Sequence, residues 1–208
     1  LTVDFDRYQQ LAIVTKNKDL SERDYRIMTY TGLSGESGEL MELVLPLMFG
    51  PDPMGTEEIS SLKAKARLEM GDLWWYAATC ADSWGLKLSD VCANLTKKLK
   101  HLFVESTPRE PFPWTIEFPK LVAQLIVSVS GYVDYQKKVF FHGHPAGLFD
   151  IGDRLSVIAD MLAQGTLALF PDKPFSEALE EVLASNIAKL KARYPQGFTE
   201  ADSLNRKA

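Results

Sequence analysis

Cysteine is almost missing from this sequence. Cys80 and Cys92 are the only two, and both fall in helix-like segments among Ala, Thr and Val. A thiol in such company acts as a small apolar group, so a disulfide framework is not expected and a reducing, cytoplasmic location is. Long hydrophobic runs are lacking too. The longest, Leu73 to Ala81, is about half of what a membrane span needs, and the opening LTVDFDRYQQ lacks the basic-then-apolar order of a signal peptide. No membrane partner is therefore expected. Nor is there a surplus of positive charge: 23 Lys and Arg stand against 28 Asp and Glu, for a net charge of -5. Without a basic face, nucleic acid is not an expected partner, and a polyanionic ligand has to be met by a local constellation or through metal ions.

What remains is the balance of an ordinary globular chain, with 208 residues, 46% hydrophobic and 25% charged, enough to bury a core as one domain or two fused small ones. Residues 4 to 16 place Phe5, Tyr8, Leu11 and Ala12 at helical spacing, with Asp4 or Asp6 as cap. A second helix is expected from about Tyr25 or Thr29 until Pro46 and the GPDPMG loop break or kink it. A third is expected over 57 to 84 and a fourth from Leu88, with Ser89 as N-cap. The prolines at 108, 111, 113 and 119 then read as a linker. The fold class expected is all-α, a helical bundle, divided into a helical half over 1–104, a proline-rich linker over 105–119 and a second half over 120–208, packed as one globular unit.

After the linker the pattern recurs. ESGELMEL at 36 to 43 has an echo in VSGYVDYQ at 129 to 136, and EMGDLWWYAATCAD at 69 to 82 lines up with DIGDRLSVIADMLA at 150 to 163. Asn94, Lys97 and His101 correspond to Asn186, Lys189 and Arg193. A tandem duplication is the expectation, with coincidence between helices of similar composition as the alternative. In the second copy Val129 and Tyr132 stand where Glu36 and Glu39 stood, so only Asp150 and Asp153 persist there.

The chemistry is carried by paired acids. Glu36, Glu39 and Glu42 follow one another at steps of three, and like charges on one helix face repel unless a cation intervenes. A solvated acidic face is the plain alternative. On the third helix Glu69 and Asp72 repeat the spacing inside a segment that is apolar on almost every face. A carboxylate facing a packed core must be paired, protonated or metal-bound. Lys65 could pair with Glu69, whereas Asp72 has only Leu68, Met70, Gly71, Trp75 and Tyr76 as helical neighbours. Gly71 itself costs about 1 kcal/mol against Ala in a helix, a cost that close approach of another helix or a ligand would explain. Two helices each presenting two acids can bring four carboxylates together, and an oxygen-only set suits Mg2+ or Mn2+. His101, His142 and His144 lie away from these positions, which argues against a di-iron carboxylate bundle. Towards the C-terminus Lys189 and Arg193 share a helix face with Asn186, either as ordinary helix-end cations or as a phosphate clamp. Trp74, Trp75 and Tyr76 offer a stacking surface for a base, or core.

Taken together, GLSGESGEL, LEMGDLWWYAA and NIAKLKARYPQGF resemble the MazG-like, all-alpha nucleoside triphosphate pyrophosphohydrolases, and DRYQQLAIVT is similar to the family's first helix. The resemblance covers about residues 5 to 100 and 177 to 206. It implies an all-alpha bundle of that type, here a tandem pseudo-duplicated unit. Glu36, Glu39, Glu69 and Asp72 would be both metal ligands and catalytic carboxylates, with Mg2+ (or Mn2+) as cofactor. Asn186, Lys189 and Arg193 would bind the substrate, a nucleoside triphosphate, with a deoxynucleotide expected, cleaved to monophosphate and pyrophosphate in nucleotide-pool cleansing or control. It also implies a homodimer, or a pseudo-dimer made within one chain. Two departures stand out. The well-matched Asn-x-x-Lys helix comes about a hundred residues later than in the family, and the nearer copy is NLTKKLKHLF. The rival reading is a non-catalytic helical module that binds nucleotide or metal for regulation.

Overall fold

The computed structural model describes residues 3–50, 54–95 and 114–204. Within them the chain is all-α, with no β-strand. Helix α1 (Phe5–Ile13) starts where the Asp4 carboxylate accepts a hydrogen bond from the Arg7 amide, so Asp4 and not Asp6 is the cap. Helix α2 (Glu22–Phe49) begins earlier than the apolar pattern suggests, because Ser21 caps it and Glu22 and Asp24 favour its first turn. It runs through Pro46 for a further three residues, so that proline neither ends the helix nor stops the chain from bonding back to it: the Gly50 amide donates to the Pro46 carbonyl at 2.9 Å. Helix α3 (Thr56–Ser83) follows, then a short α4 (Leu88–Val91). Ser89 is not its cap. Its amide and hydroxyl both bond the Asp6 carboxylate, at 3.0 and 2.9 Å, and tie α4 to α1.

Helix α5 (Trp114–His142) corrects the expected linker at its far end. Residues 114 to 119 are helical, and Pro119 lies inside the helix. As the sixth helical residue, Pro119 gives up one ladder hydrogen bond, the one its position would make to the Thr115 carbonyl. Trp114 and Phe118 stack at 5.0 Å and are buried, which holds these first turns in place. Pro108, Pro111 and Pro113 lie outside the described residues. By length and composition α5 is apolar enough to cross a membrane, yet it sends Phe118, Val122, Leu125, Val129 and Tyr132 into the core against α2 and α6. Helices α6 (Leu148–Leu169), α7 (Phe175–Arg193) and α8 (Glu200–Leu204) complete the chain.

Packing follows a simple plan. Neighbours α2 and α3 pack together, as do α5 and α6; across the bundle α2 lies on α5 and α3 on α6. Helix α7 is laid over α3 and α6, and α1 over α3 and α4. Helix α3 touches most of the others, which is why its middle is apolar all round. Trp74 and Trp75 are core: their indole N–H groups donate to Thr166 Oγ1 at 3.3 Å and to the Ala12 carbonyl at 3.0 Å. Gln9 locks α1 down, donating to the carbonyls of Ala78 and Leu86 and accepting from the Leu88 amide. Both cysteines are buried and neither is in a disulfide, and burial pushes the Cys80 thiol up to about 12.

Candidate metal centre

The apolar stripe of α2, made of Leu33, Ser37, Leu40 and Val44, is buried against the bundle, and Glu36 stands at its edge, half-buried. On α3 the same holds for Glu69 and Asp72, beside buried Met70, Gly71, Leu73 and Trp74. Because α2 and α3 pack side by side, the three edges meet. One carboxylate oxygen from each of Glu36, Glu69 and Asp72 lies within 4.8 Å of the others. Glu39 and Glu42 are exposed and stand outside this group of three, which brings together three of the four acids expected. Glu39 remains close enough to act through its field on both Glu36 and Glu69.

The cluster is electrostatically uncomfortable. Burial, reinforced by the charges of Asp72, Glu39 and Glu69, pushes the Glu36 carboxyl up to about 7, while Lys189 pulls it down. Glu69 is raised for the same reasons, burial first, then Asp72 and Glu39, and a hydrogen bond with Glu36 partly offsets the rise. Lys65 is exposed and makes no ion pair with Glu69 among the described residues.

The partners of Asp72 come from far along the chain. Lys189 on α7 forms an ion pair with Asp72 Oδ2, and the Asn186 side-chain amide donates to Asp72 Oδ1 at 2.9 Å. They reach it because α7 crosses α3 at Gly71, where a Cβ would stand 3.0 Å from Asn186 Cβ. Close approach of another helix is thus the reason for that glycine. Arg193, one turn beyond Lys189, is half-buried and makes no hydrogen bond or ion pair among the described residues. Tyr76 is the one member of the Trp74–Trp75–Tyr76 run left half-exposed; its ring lies over Gly32, where a Cβ would be 2.0 Å from Tyr76 Cε1. Gly32 and Tyr76 are each one helical turn from an acid of the cluster.

Tyr8 is a participant that the sequence reading placed only in the apolar face of α1. Its hydroxyl donates to Asn186 Oδ1 at 3.2 Å, 178 positions away, and no local pattern announces such a pair. Burial, with Asp72 adding to it, holds this phenol well above its ordinary range, so it stays a proton donor.

In the second half Val129 and Tyr132 are buried at 1% exposure, as core. Asp150 and Asp153 line a cavity of about 370 Å³ with Gly131 and Arg154, and Arg154 donates to the Gly131 carbonyl at 3.4 Å. They assemble no three-acid group there among the described residues. Lys97 and His101 lie outside those residues. The chain matches no family model, no curated protein and no solved structure.

Proposed function

We propose that this chain hydrolyses nucleoside triphosphates, with Mg2+ or Mn2+, to nucleoside monophosphate and pyrophosphate. The observation that carries the reading is the convergence of Glu36, Glu69 and Asp72 within 4.8 Å, with Lys189 and Asn186 brought onto Asp72 from another helix. A purely structural ion pair would need one acid for Lys189. Here two more half-buried carboxylates crowd it, and such crowding costs free energy unless a further cation is bound. The donor set fits: three carboxylate oxygens without nitrogen or sulfur suit a hard, oxygen-loving ion. Such an ion, held by Glu36, Glu69 and Asp72, would neutralise the triphosphate and act as Lewis acid at phosphorus.

The chain's own groups divide the rest. Lys189, at the margin of the cluster, offers an ammonium to the developing charge on the phosphate oxygens, and Arg193, on the same helix face, a second cation. Glu39, beside the cluster and exposed, is the carboxylate available to take the proton of the water that attacks the alpha phosphorus. Tyr76 offers a half-exposed ring one turn from Asp72 for a base to lie against. The packing of α2 on α5 and α3 on α6 favours a tandem origin in which the second half serves the first as a silent partner and brings in α7. The burial of one face of α5 supports reading it as a core helix of a soluble protein, and the buried thiols Cys80 and Cys92 support a cytoplasmic location.

Product analysis over a panel of ribo- and deoxynucleoside triphosphates with Mg2+ tests the reading. Monophosphate and pyrophosphate are expected from at least one of them. Diphosphate and orthophosphate, or no turnover of any, would sink it.

A further inference from the structure

Asn186 is 3% exposed and its side-chain amide bridges two helices, with Oδ1 accepting from Tyr8 on α1 and Nδ2 donating to Asp72 on α3. An amide can be turned end for end at almost no steric cost, so something must decide which end meets the acid. Tyr8 and Asp72 decide it together. The phenol O–H needs an acceptor and the carboxylate needs a donor, and one orientation satisfies both. Nor can Asn186 retreat, because it lies against the bare backbone of Gly71.

We propose that Tyr8 is a positioning residue for the metal centre: acting through Asn186, its hydroxyl fixes the Asp72 carboxylate in the orientation that faces Glu36 and Glu69. This rests on the metal-site reading above. With Oδ1 held by Asn186 and Oδ2 by Lys189, the carboxylate of Asp72 is pinned at both ends. Without the Tyr8 hydroxyl, Asn186 Oδ1 is a buried acceptor with no donor, and the amide gains by rotating away from Asp72 to find one. The carboxylate is then held by Lys189 alone and turns. Partners of this kind, one step behind a ligand, typically matter to metal affinity by roughly 10- to 100-fold.

The test is Mn2+ binding, measured by calorimetry or by the paramagnetic signal of the free ion, on the wild-type chain and on Tyr8→Phe, Asn186→Ala and the double variant. Phe retains the ring and its packing, so the melting temperature in EDTA reports whether the fold is kept. Expected is a loss of roughly tenfold in Mn2+ affinity for Tyr8→Phe, with no further loss when it is added to Asn186→Ala. Tyr25→Phe is the control: it removes another tyrosine hydroxyl bond, this one to the Asp82 carboxylate at 3.2 Å, away from the cluster, and should leave Mn2+ affinity unchanged. Wild-type affinity in Tyr8→Phe, or equal additional losses on both backgrounds, overturns the positioning role and leaves the metal site standing. Failure of the wild-type chain to bind Mn2+ overturns both.

Discussion

Gly71 and Asn186 meet so closely that a Cβ on the glycine would stand 3.0 Å from the asparagine Cβ and 3.4 Å from its Nδ2. The first contact brings α7 onto α3, and the second lies against the nitrogen that serves Asp72. Gly71→Ala should therefore separate stability from function. The added methyl favours the helix by about 1 kcal/mol, while relieving the clash costs about 1–3 kcal/mol. A net loss near 1 kcal/mol is expected in thermal melting, whereas hydrolysis should fall far more, by about a hundredfold, since a small misplacement at a reacting centre is costly. Equal, small losses in both would detach this helix crossing from the site.

The Glu36 carboxyl gives the protein a pH dependence whose sign can be worked out. Its folded value is raised to about 7, above the ordinary value of 4.5. The folded chain therefore holds a proton there that the unfolded chain has lost, and stability falls as pH rises from about 4.5 through 7. In EDTA the melting temperature should drop across that window, and Glu36→Gln should flatten the drop. Because Mg2+ competes with that proton, the rise in melting temperature it causes should grow over the same window. A Mg2+ shift independent of pH, or unchanged in Glu36→Gln, would place the ion elsewhere.

The two halves should respond differently to loss of a charge. Lys189→Ala removes the cation that pairs with Asp72 and should cut turnover by about 10²–10³, and in EDTA it should lower stability by taking an ammonium away from three clustered acids. Asp153→Ala touches an exposed residue of the second half and should stay within about 0.5 kcal/mol of wild type, with turnover retained. Steady-state kinetics on the two variants decides the matter: a dead Asp153→Ala enzyme would mean that the second half carries chemistry of its own.

Some of this was legible in the sequence and some was not, for physical reasons. Helices such as α3 were legible because apolar spacing and Gly71 speak locally. Pro119 misled because a proline costs a helix one backbone bond and a clash one turn back, and here the buried stack of Trp114 on Phe118 offsets that local cost. Ser89 read as a cap because serine before an apolar run usually is one, whereas its hydroxyl is taken by Asp6, 83 positions away. Steps of three along α2 put Glu36, Glu39 and Glu42 on adjoining lines of the helix, but only contact with α3 selects Glu36 for the cluster. The pairing of Asp72 with Lys189 was not legible, since 117 positions separate the two and no local pattern links them. Tyr8 could not be found at all, since a phenol at helical spacing looks like core until its partner is known.

Attack of water at the alpha phosphorus is the step that distinguishes the proposed hydrolase from other triphosphatases. Hydrolysis of a nucleoside triphosphate with Mg2+ in heavy-oxygen water, followed by mass spectrometry of both products, reads this directly. The label should appear in the nucleoside monophosphate, with unlabelled pyrophosphate beside it, and the reaction should vanish in Asp72→Ala. Label in pyrophosphate or orthophosphate, or an Asp72→Ala chain that still turns over, would contradict the assignment of Glu36, Glu69 and Asp72 as the centre of an alpha-phosphorus hydrolase.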